Sequence, residues 1–451
     1  MDSLKEEVMG MNDEALTQAI FEAGVIGAGG AGFPTHIKLV KDMHYLVING
    51  AECEPLIYTD YEIMKHFSME LIIVIRDMLK ALNIKKAVWG IKSKHKELIN
   101  VLTLATALDK NINICPLENI YPAGDEITLI YKCTGIVIPK GELPSSKKVI
   151  ELNVETLLNI YKCLYENTPV VDKYVTIAGA VKEPRVLKVP VGTPIQNLID
   201  EVSVTISNYD ILLGGPMMGN FVSPDIKVSK TTKAILLLPK NSVLSVKKKQ
   251  IGLDSVKRAM SSCSQCRMCT DLCPRNKLGH KIEPHKLMNA FANGIVENSD
   301  KIYTALGCCG CNTCSYYACH HDLNPAELMM ATKKELMKQG IRPEIEESVP
   351  LANPLSVEVP ASRLLFKLGL KDYDRHAYLQ KQPISTDIAF VPISAHIGKP
   401  ANPIVKVGDK VTRKQKIAEA SIGGISACVH SSIDGIVKVI TEKEIIIKGG
   451  E

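Results

Sequence analysis

SSCSQCRMCTDLCPR, residues 261–275, places Cys263, Cys266, Cys269 and Cys273 at the spacing C-x2-C-x2-C-x3-C, with Pro274 following. Thiolates that bind zinc usually come as two short pairs separated by a longer loop. Three cysteines at two-residue gaps and a fourth before proline instead suit a pair of [4Fe–4S] clusters, in which the first three hold one cluster and the fourth ligates the other. The run therefore reads as a redox centre, and it needs an electron donor and an acceptor.

A second run, LGCCGCNTCSYYACHH (306–321), carries Cys308, Cys311 and Cys314 at the same gaps, with Cys319 after a gap of four residues rather than three and His320 in place of proline. Exchanging the fourth ligand between runs predicts one cluster on Cys263, Cys266, Cys269 and Cys319 and another on Cys308, Cys311, Cys314 and Cys273. His320 and His321 stand as alternates to Cys319, and Cys309 reads as a neighbouring thiol outside the ligand set.

Nine of the fourteen cysteines lie between 263 and 319. With no basic n-region in MDSLKEEVMG, they argue for a reducing, cytoplasmic compartment rather than a disulfide scaffold. Cys53, Cys115, Cys133, Cys163 and Cys428 are scattered and read as small buried apolar residues. At 451 residues, 46% hydrophobic and 23% charged, the chain is an ordinary multidomain globular protein. A net charge of +5, with Lys247–Lys249 as the longest basic run, gives no support for nucleic-acid binding. LIIVI (71–75) is too short to span a bilayer, so no transmembrane segment is expected.

The first third alternates helical and strand patterns: LTQAIFEAG (16–24) and MELIIVIRDMLKAL (69–82) as helices, HYLVING (44–50) and KKAVWGI (85–91) as strands of a parallel sheet. Short β-rich segments with one helix, TPIQNLIDEV (193–202), follow from about residue 173 and predict a small β-grasp-like module. The expected partition is an α/β domain over 1–165, the β-grasp-like module over 172–240, a helical two-cluster domain over 252–337, a connector over 343–383 containing the helix RLLFKLGL, and a strand-rich domain over 384–451. The last resembles the barrel-sandwich hybrid of lipoyl and biotinyl carriers. Its expected carrier turn, SIGGISACV, has no lysine, so it is read as a scaffold or docking module.

The donor is sought in GVIGAGGAGFPT (24–35), where glycines allow backbone N–H groups to approach a phosphate or a flavin ring. This loop follows a helix rather than a strand, so it is not the dinucleotide fingerprint of a Rossmann fold. Taken with VINGAECEP (47–55), YPAGDEITLIYKCTG (121–135), LNVETL (152–157) and LLGGPMMG (212–219), it resembles the flavin- and NADH-binding component of respiratory complex I and, more closely, the RnfC component of Rnf ferredoxin:NAD oxidoreductases. That resemblance implies a Rossmann-like domain with noncovalent FMN at Gly27, Gly29, Gly30, Lys38, Asn49, Glu52, Tyr121, Gly124, Asp125, Glu126 and Asn153. It further implies NADH near Phe33, with Glu54 and Glu126 as polar contacts, and an SLBB assignment for the β-grasp-like module. Ala28 replaces an Arg of the complex I component. NADH gives two electrons together and a cluster takes one, which a flavin reconciles. Hydride transfer needs no protein acid or base, so no catalytic residue is expected.

The order of domains, with the barrel-sandwich unit last, is similar to that of the cobalamin reductases of propanediol-utilisation microcompartments, as is VPASRLLFKLGLKDYDR (359–375). This implies reduction of cob(III)alamin through cob(II)alamin toward cob(I)alamin, with cobalamin or a cobalamin adenosyltransferase as partner. It also implies a place inside or at the shell of a bacterial microcompartment. The alternative is an RnfC-like electron-transfer protein that feeds another reductase, such as a proline reductase, or a glycyl-radical microcompartment enzyme.

Overall fold

The computed structural model describes residues 11–249, 253–295, 300–351 and 358–450. The acidic stretch MDSLKEEVMG and the expected start of the cluster domain at residue 252 lie outside them. Five strands belong to the first part of the chain: β1 (Tyr45–Gly50), β2 (Lys86–Lys92), β3 (Ile112–Leu117), the short β4 (Ile120–Tyr121) and β5 (Val149–Asn153). Four of them form a sheet in the order β3-β2-β1-β5, parallel throughout. A parallel sheet is covered on both faces, which is why all of β2 after Lys86 is buried. Leu71, Ile72, Val74, Ile75 and Met78 of helix Ser68–Ala81 pack in one core with Leu157, Leu158 and Ile160 of helix Val154–Glu166.

The expected helices and strands of this part are present. Asp13–Glu22 covers LTQAIFE, and its Asn12 cap accepts a hydrogen bond from the Ala15 amide at 2.9 Å. β1 and β2 fall on the two expected strands. In the order β3-β2-β1-β5 the chain moves outward from β1 on both sides, so the strand order reverses between β1 and β5. Asn49 and Asn153, paired in register, stand at the carboxyl ends of those two strands. That crevice is where open α/β sheets bind ligands.

The next strands are β6 (Asp172–Gly179), β7 (Arg185–Pro190), β8 (Tyr209–Leu213), β9 (Asn220–Val222) and β10 (Ala234–Pro239). Helix Ile195–Asp200 packs its Ile195, Leu198 and Ile199 into their core. The segment expected as a connector contributes two strands to other sheets. β11 (Val359–Pro360) pairs with β4, and β12 (Tyr378–Leu379) pairs with β7 at the edge of a six-stranded sheet ordered β12-β7-β6-β10-β8-β9. Between them runs the expected helix, Ala361–Lys367.

The cysteine runs lie among helices Met268–Asp271, Pro284–Ala292 and Pro325–Lys338. The extra residue of the second run is absorbed as one π-helical turn, Cys314–Ala318, with the Cys319 amide donating to the Cys314 carbonyl at 3.1 Å. A π-turn is how a helix takes in one residue without losing its hydrogen bonds, and such turns gather at functional sites.

The last strands are β13 (Ile388–Pro392), β14 (Asn402–Pro403), β15 (Lys410–Val411), β16 (Lys416–Glu419), β17 (Val429–His430), β18 (Gly435–Ile440) and β19 (Glu444–Lys448). They make two sheets, β13-β19-β18-β15 and β14-β16-β17, around one apolar core. This unit packs on the glycine loop. Gly24, at φ +62°, lies so close that a Cβ would meet the Cys428 carbonyl oxygen at 2.1 Å, and the Ile397 amide donates to the Gly32 carbonyl at 3.2 Å. Arg413 clamps Asp172 through two hydrogen bonds of 2.7 Å. Among the described residues no helix is long and apolar enough to cross a membrane.

Candidate flavin and iron–sulfur site

A cavity of about 550 Å³ opens at the β1/β5 crevice, within the 300–1,000 Å³ range of small-molecule and cofactor sites. Its walls include Gly27, Gly29, Gly30, Phe33, Lys38, Asn49, Glu52, Glu54, Tyr121, Gly124, Asp125, Glu126 and Asn153. The structure thus brings all thirteen expected residues of the flavin and NADH site to one place, from four separate segments of chain.

Local folding explains most of the placements. Asp125 caps helix Glu126–Thr134 by accepting from the Thr128 amide at 3.2 Å, so the acidic pair sits at the helix N-terminus. Asn153 caps helix Val154–Glu166 through the Glu155 amide and also donates to Asp60 at 2.9 Å. A Cβ on Gly29 would meet the Asn153 side chain at 2.9 Å, whereas one on Gly30 would meet nothing within 4 Å. Gly29 therefore lets the loop sit down on the sheet, and Gly30 presents bare backbone to the cavity, as a phosphate or ring would require.

The cavity is strongly charged. Burial opposes the Lys38 charge, but Glu151 and Glu126, at 3.4 and 3.1 Å, outweigh it and hold its pKa above the usual value. Asn49 donates to the Gly124 carbonyl and to Glu151, both at 3.0 Å. Burial and then the charge of Asp60 push Glu52 up to about 7, although the Asp60 and Tyr61 amides donate to its carboxylate. Burial also raises Glu54, whose two oxygens each accept a hydrogen bond of 2.8 Å from the Met217 and Met218 amides. Glu54 thereby ties the LLGGPMMG turn to the cavity rim.

Asp60, Glu151, Thr156 and Lys233 also line the cavity and were not among the expected residues. Lys233 pairs with Asp60 and, at 3.2 Å, with Glu155, and Glu155 in turn holds the fully buried Lys173 at 2.5 Å. One signal was present in the sequence for Glu151, a carboxylate inside the apolar strand VIELN. Asp60 and Lys233 are brought together across 173 residues, which no local pattern encodes.

Cys309 and Cys311 reach the same cavity. Tyr121, the last residue of β4 and next to a cis bond to Pro122, donates from its hydroxyl to the Cys311 carbonyl at 2.8 Å. Arg275, two residues after Cys273, pairs with Asp125 at 2.8 Å. The cavity and the cysteine-rich unit therefore share one wall.

The thiols of the two runs lie near one another. Burial, and then Cys319, Cys266 and Cys263, push Cys269 up to about 12. Cys314 is raised well above its ordinary value by burial, then by Cys308, Cys273 and Cys269, and Cys273 by burial, then by Cys309 and Cys308. Cys319 thus has Cys263, Cys266 and Cys269 for neighbours, and Cys273 has Cys308, Cys309 and Cys314. The Cys311 thiol contacts Thr313 at 3.4 Å and also Cys309. His321 faces Ser264, and the His320 ring lies tilted against that of His321. Among the described residues no three His, Cys, Asp or Glu side chains lie close enough to share one metal ion. Ligands to a four-iron cluster each take a different iron and stand farther apart. Cys266 is the exposed thiol of the eight, whereas Cys311 and Cys314 are buried.

Four family models match the chain: the Nuo51 FMN-binding domain over residues 20–162, the SLBB domain over 174–221, a 4Fe-4S dicluster domain over 262–324 and the RnfC barrel sandwich hybrid domain over 366–450. Cobalamin reductase PduS of Citrobacter freundii is 36% identical over 447 residues, covering 97% of each chain. Its counterpart in Salmonella typhimurium is 34% identical over 446 residues, covering 98% of each. One component of the Na(+)-translocating ferredoxin:NAD(+) oxidoreductase complex of Acetobacterium woodii is 32% identical over 272 residues, 58% of each chain. Among solved structures, an NAD+-reducing [NiFe]-hydrogenase in the H2-reduced state superposes with a TM-score of 0.50 at 17% identity, covering 76% of this chain and 65% of that one, a likeness of fold alone.

Proposed function

The chain belongs to the family of the PduS cobalamin reductases, and on that footing we propose that it passes electrons from NADH, through FMN and two [4Fe–4S] clusters, to cobalamin. It is an NADH-dependent flavoprotein oxidoreductase, with FMN and iron–sulfur centres as its cofactors. The observation that carries the reading is the shared wall: Cys309 and Cys311 line the cavity that also holds the glycine loop, Asn49 and Asn153.

An FMN held at Gly27, Gly29, Gly30, Asn49 and Asn153 would supply the conversion of an electron pair from NADH into single electrons. The chain's own residues do the rest. Gly27, Gly29 and Gly30 offer backbone to the cofactor, Lys38 offers a cation, and Asn49 and Asn153 are held rigid by their hydrogen bonds to Glu151 and Asp60. Glu126 and the rim fixed by Glu54 bound the space for NADH beside Phe33. Cys273, Cys308, Cys311 and Cys314 would hold the cluster next to the cavity. Cys263, Cys266, Cys269 and Cys319 would hold the one next to solvent, so electrons would leave near Cys266. Cobalt changes oxidation state by one electron per step, which suits such an exit.

The finer labels belong to the same reading: a Rossmann-like unit over 1–165, a β-grasp unit over 172–240, a cluster unit over 252–337, a connector over 343–383 and a barrel-sandwich unit over 384–451. So do a cobalamin adenosyltransferase as partner and a place in or at a microcompartment shell. The test is anaerobic: load the protein with FMN, iron and sulfide, add NADH, and follow hydroxocobalamin by its visible spectrum. Reduction supports the proposal. NADH oxidation with an artificial dye and none with cobalamin would leave the RnfC-like role toward another reductase, and failure to bind FMN would remove both.

A further inference from the structure

Two of the scattered cysteines meet outside the redox site. Cys115 lies on β3, the edge strand, directly opposite Gly90 of β2. Cys133 lies in the last turn of helix Glu126–Thr134, which covers this face of the sheet, and its sulfur would be 3.1 Å from a Cβ on Gly90. The missing side chain at position 90 is thus what lets Cys133 come down beside Cys115. Both side chains pack on the same apolar cluster over Gly90. The Cys115 sulfur also faces the Lys132 carbonyl at 3.9 Å, and both cysteines are partly exposed. We propose that Cys115 and Cys133 are a dithiol–disulfide pair that exchanges with low-molecular-weight disulfides such as oxidised glutathione.

The neighbouring Cys133 thiol lowers Cys115 below the ordinary thiol value, while Cys115, with burial, raises Cys133. Cys115 is therefore the attacking thiolate and Cys133 the resolving thiol. In the first step a bond forms between the Cys115 sulfur and one glutathione sulfur, the glutathione disulfide bond breaks, and one glutathione thiolate leaves. In the second, the Cys133 thiol loses its proton and attacks the Cys115 sulfur, and the second glutathione thiolate leaves and is protonated. Two protein thiols are oxidised and one disulfide is reduced to two thiols, with no other electron source. The bridge would join β3 to the last turn of the helix whose first residue, Glu126, and cap, Asp125, stand on the flavin cavity. That helix would then carry a redox-set tether at its far end.

The test uses the cofactor-loaded protein, incubated anaerobically with oxidised glutathione, blocked with an alkylating agent and mapped by peptide mass spectrometry. The expected product is a Cys115–Cys133 cross-linked peptide, with the visible absorbance of the clusters unchanged. In Cys133→Ser a glutathione adduct should accumulate on Cys115, and in Cys115→Ser Cys133 should stay unmodified. In the unoxidised protein at pH 7, iodoacetamide should label Cys115 at least about tenfold faster than Cys163, which burial pushes up to about 11. Equal labelling of the two, or a wild-type protein with no cross-link, would overturn the proposal, and both measurements are available on the wild type if a variant does not fold.

Discussion

The hydroxyl of Tyr121 donates to the carbonyl of Cys311 at 2.8 Å, so one side chain of the flavin cavity is bonded to the backbone of the second cysteine run. Tyr121 is buried, and burial, then Glu54 and Cys311, raise its pKa well above the ordinary value, so it remains a donor across the working pH range. Removing the hydroxyl leaves a buried carbonyl without that partner. Tyr121→Phe should therefore cost about 1–3 kcal/mol of stability. It should slow electron exit from the reduced flavin more than flavin reduction by NADH. Stopped-flow absorbance separates the two phases, and an equal effect on both would contradict a role at the shared wall.

Cys266→Ala should leave flavin reduction by NADH intact while blocking reduction of cobalamin, because Cys266 sits in the group that faces solvent. Iron and sulfide content should fall by one cluster of two. A variant that loses flavin reduction to the same degree would argue against two separate thiol groups.

Arg275 and Asp125 form a largely but not fully buried pair, with side chains 15% and 10% exposed, that joins the cysteine unit to the cavity. Burial would raise Asp125, but Arg275 and the Thr128 hydrogen bonds more than offset it, so its folded pKa lies below the ordinary 3.8. The stability this gives is present above about 3.8 and is lost as pH falls through the folded value. Arg275→Met strands the carboxylate and should cost about 3–5 kcal/mol at neutral pH. Chemical denaturation of wild type and variant would show it as a lower midpoint with the slope unchanged.

Glu52 has the opposite sign. Its folded pKa is raised from 4.5 to about 7, first by burial and then by Asp60. Its contribution is therefore complete below about 4.5 and is lost as pH rises through about 7. Thermal melts across that window should fall less steeply in Glu52→Gln than in the wild type. An unchanged slope would place the titration elsewhere.

At Gly24 a Cβ would meet the Cys428 carbonyl oxygen at 2.1 Å and Lys230 Nζ at 2.8 Å, on a backbone at φ +62°. Gly24→Ala should push the C-terminal unit away from the glycine loop, and limited proteolysis should then cut between residues 380 and 400 far faster than in the wild type. A digestion pattern like that of the wild type would show that the contact is not needed to seat the unit.

Much of the site could be read from the chain because its chemistry is written in short local patterns. Cysteine spacing points to candidate cluster ligands without a fold, since each loop must wrap one cluster. Caps such as Asp125 and Asn153 sit where a helix must begin. Partners that meet across the chain left no such trace. Asp60 with Lys233, Arg275 with Asp125, and Glu155 with Lys173 are buried charges, each fixed by a residue from a distant segment. The connector read as a linker because two-residue strands such as Val359–Pro360 have no periodicity to detect.

Ligand spacing and strand or helix period are properties of neighbouring residues, so the redox character of this protein, its glycine loop and the order of its parts were legible in the order of its amino acids. Three further features came only with the folded chain: the loop, the β1/β5 crevice and Cys311 enclose one cavity, the extra residue before Cys319 becomes a π-turn, and Cys115 and Cys133 both come to Gly90. The physical reason is common to all three. Each depends on how close two backbones can pack, and that distance is set by residues far apart in the chain.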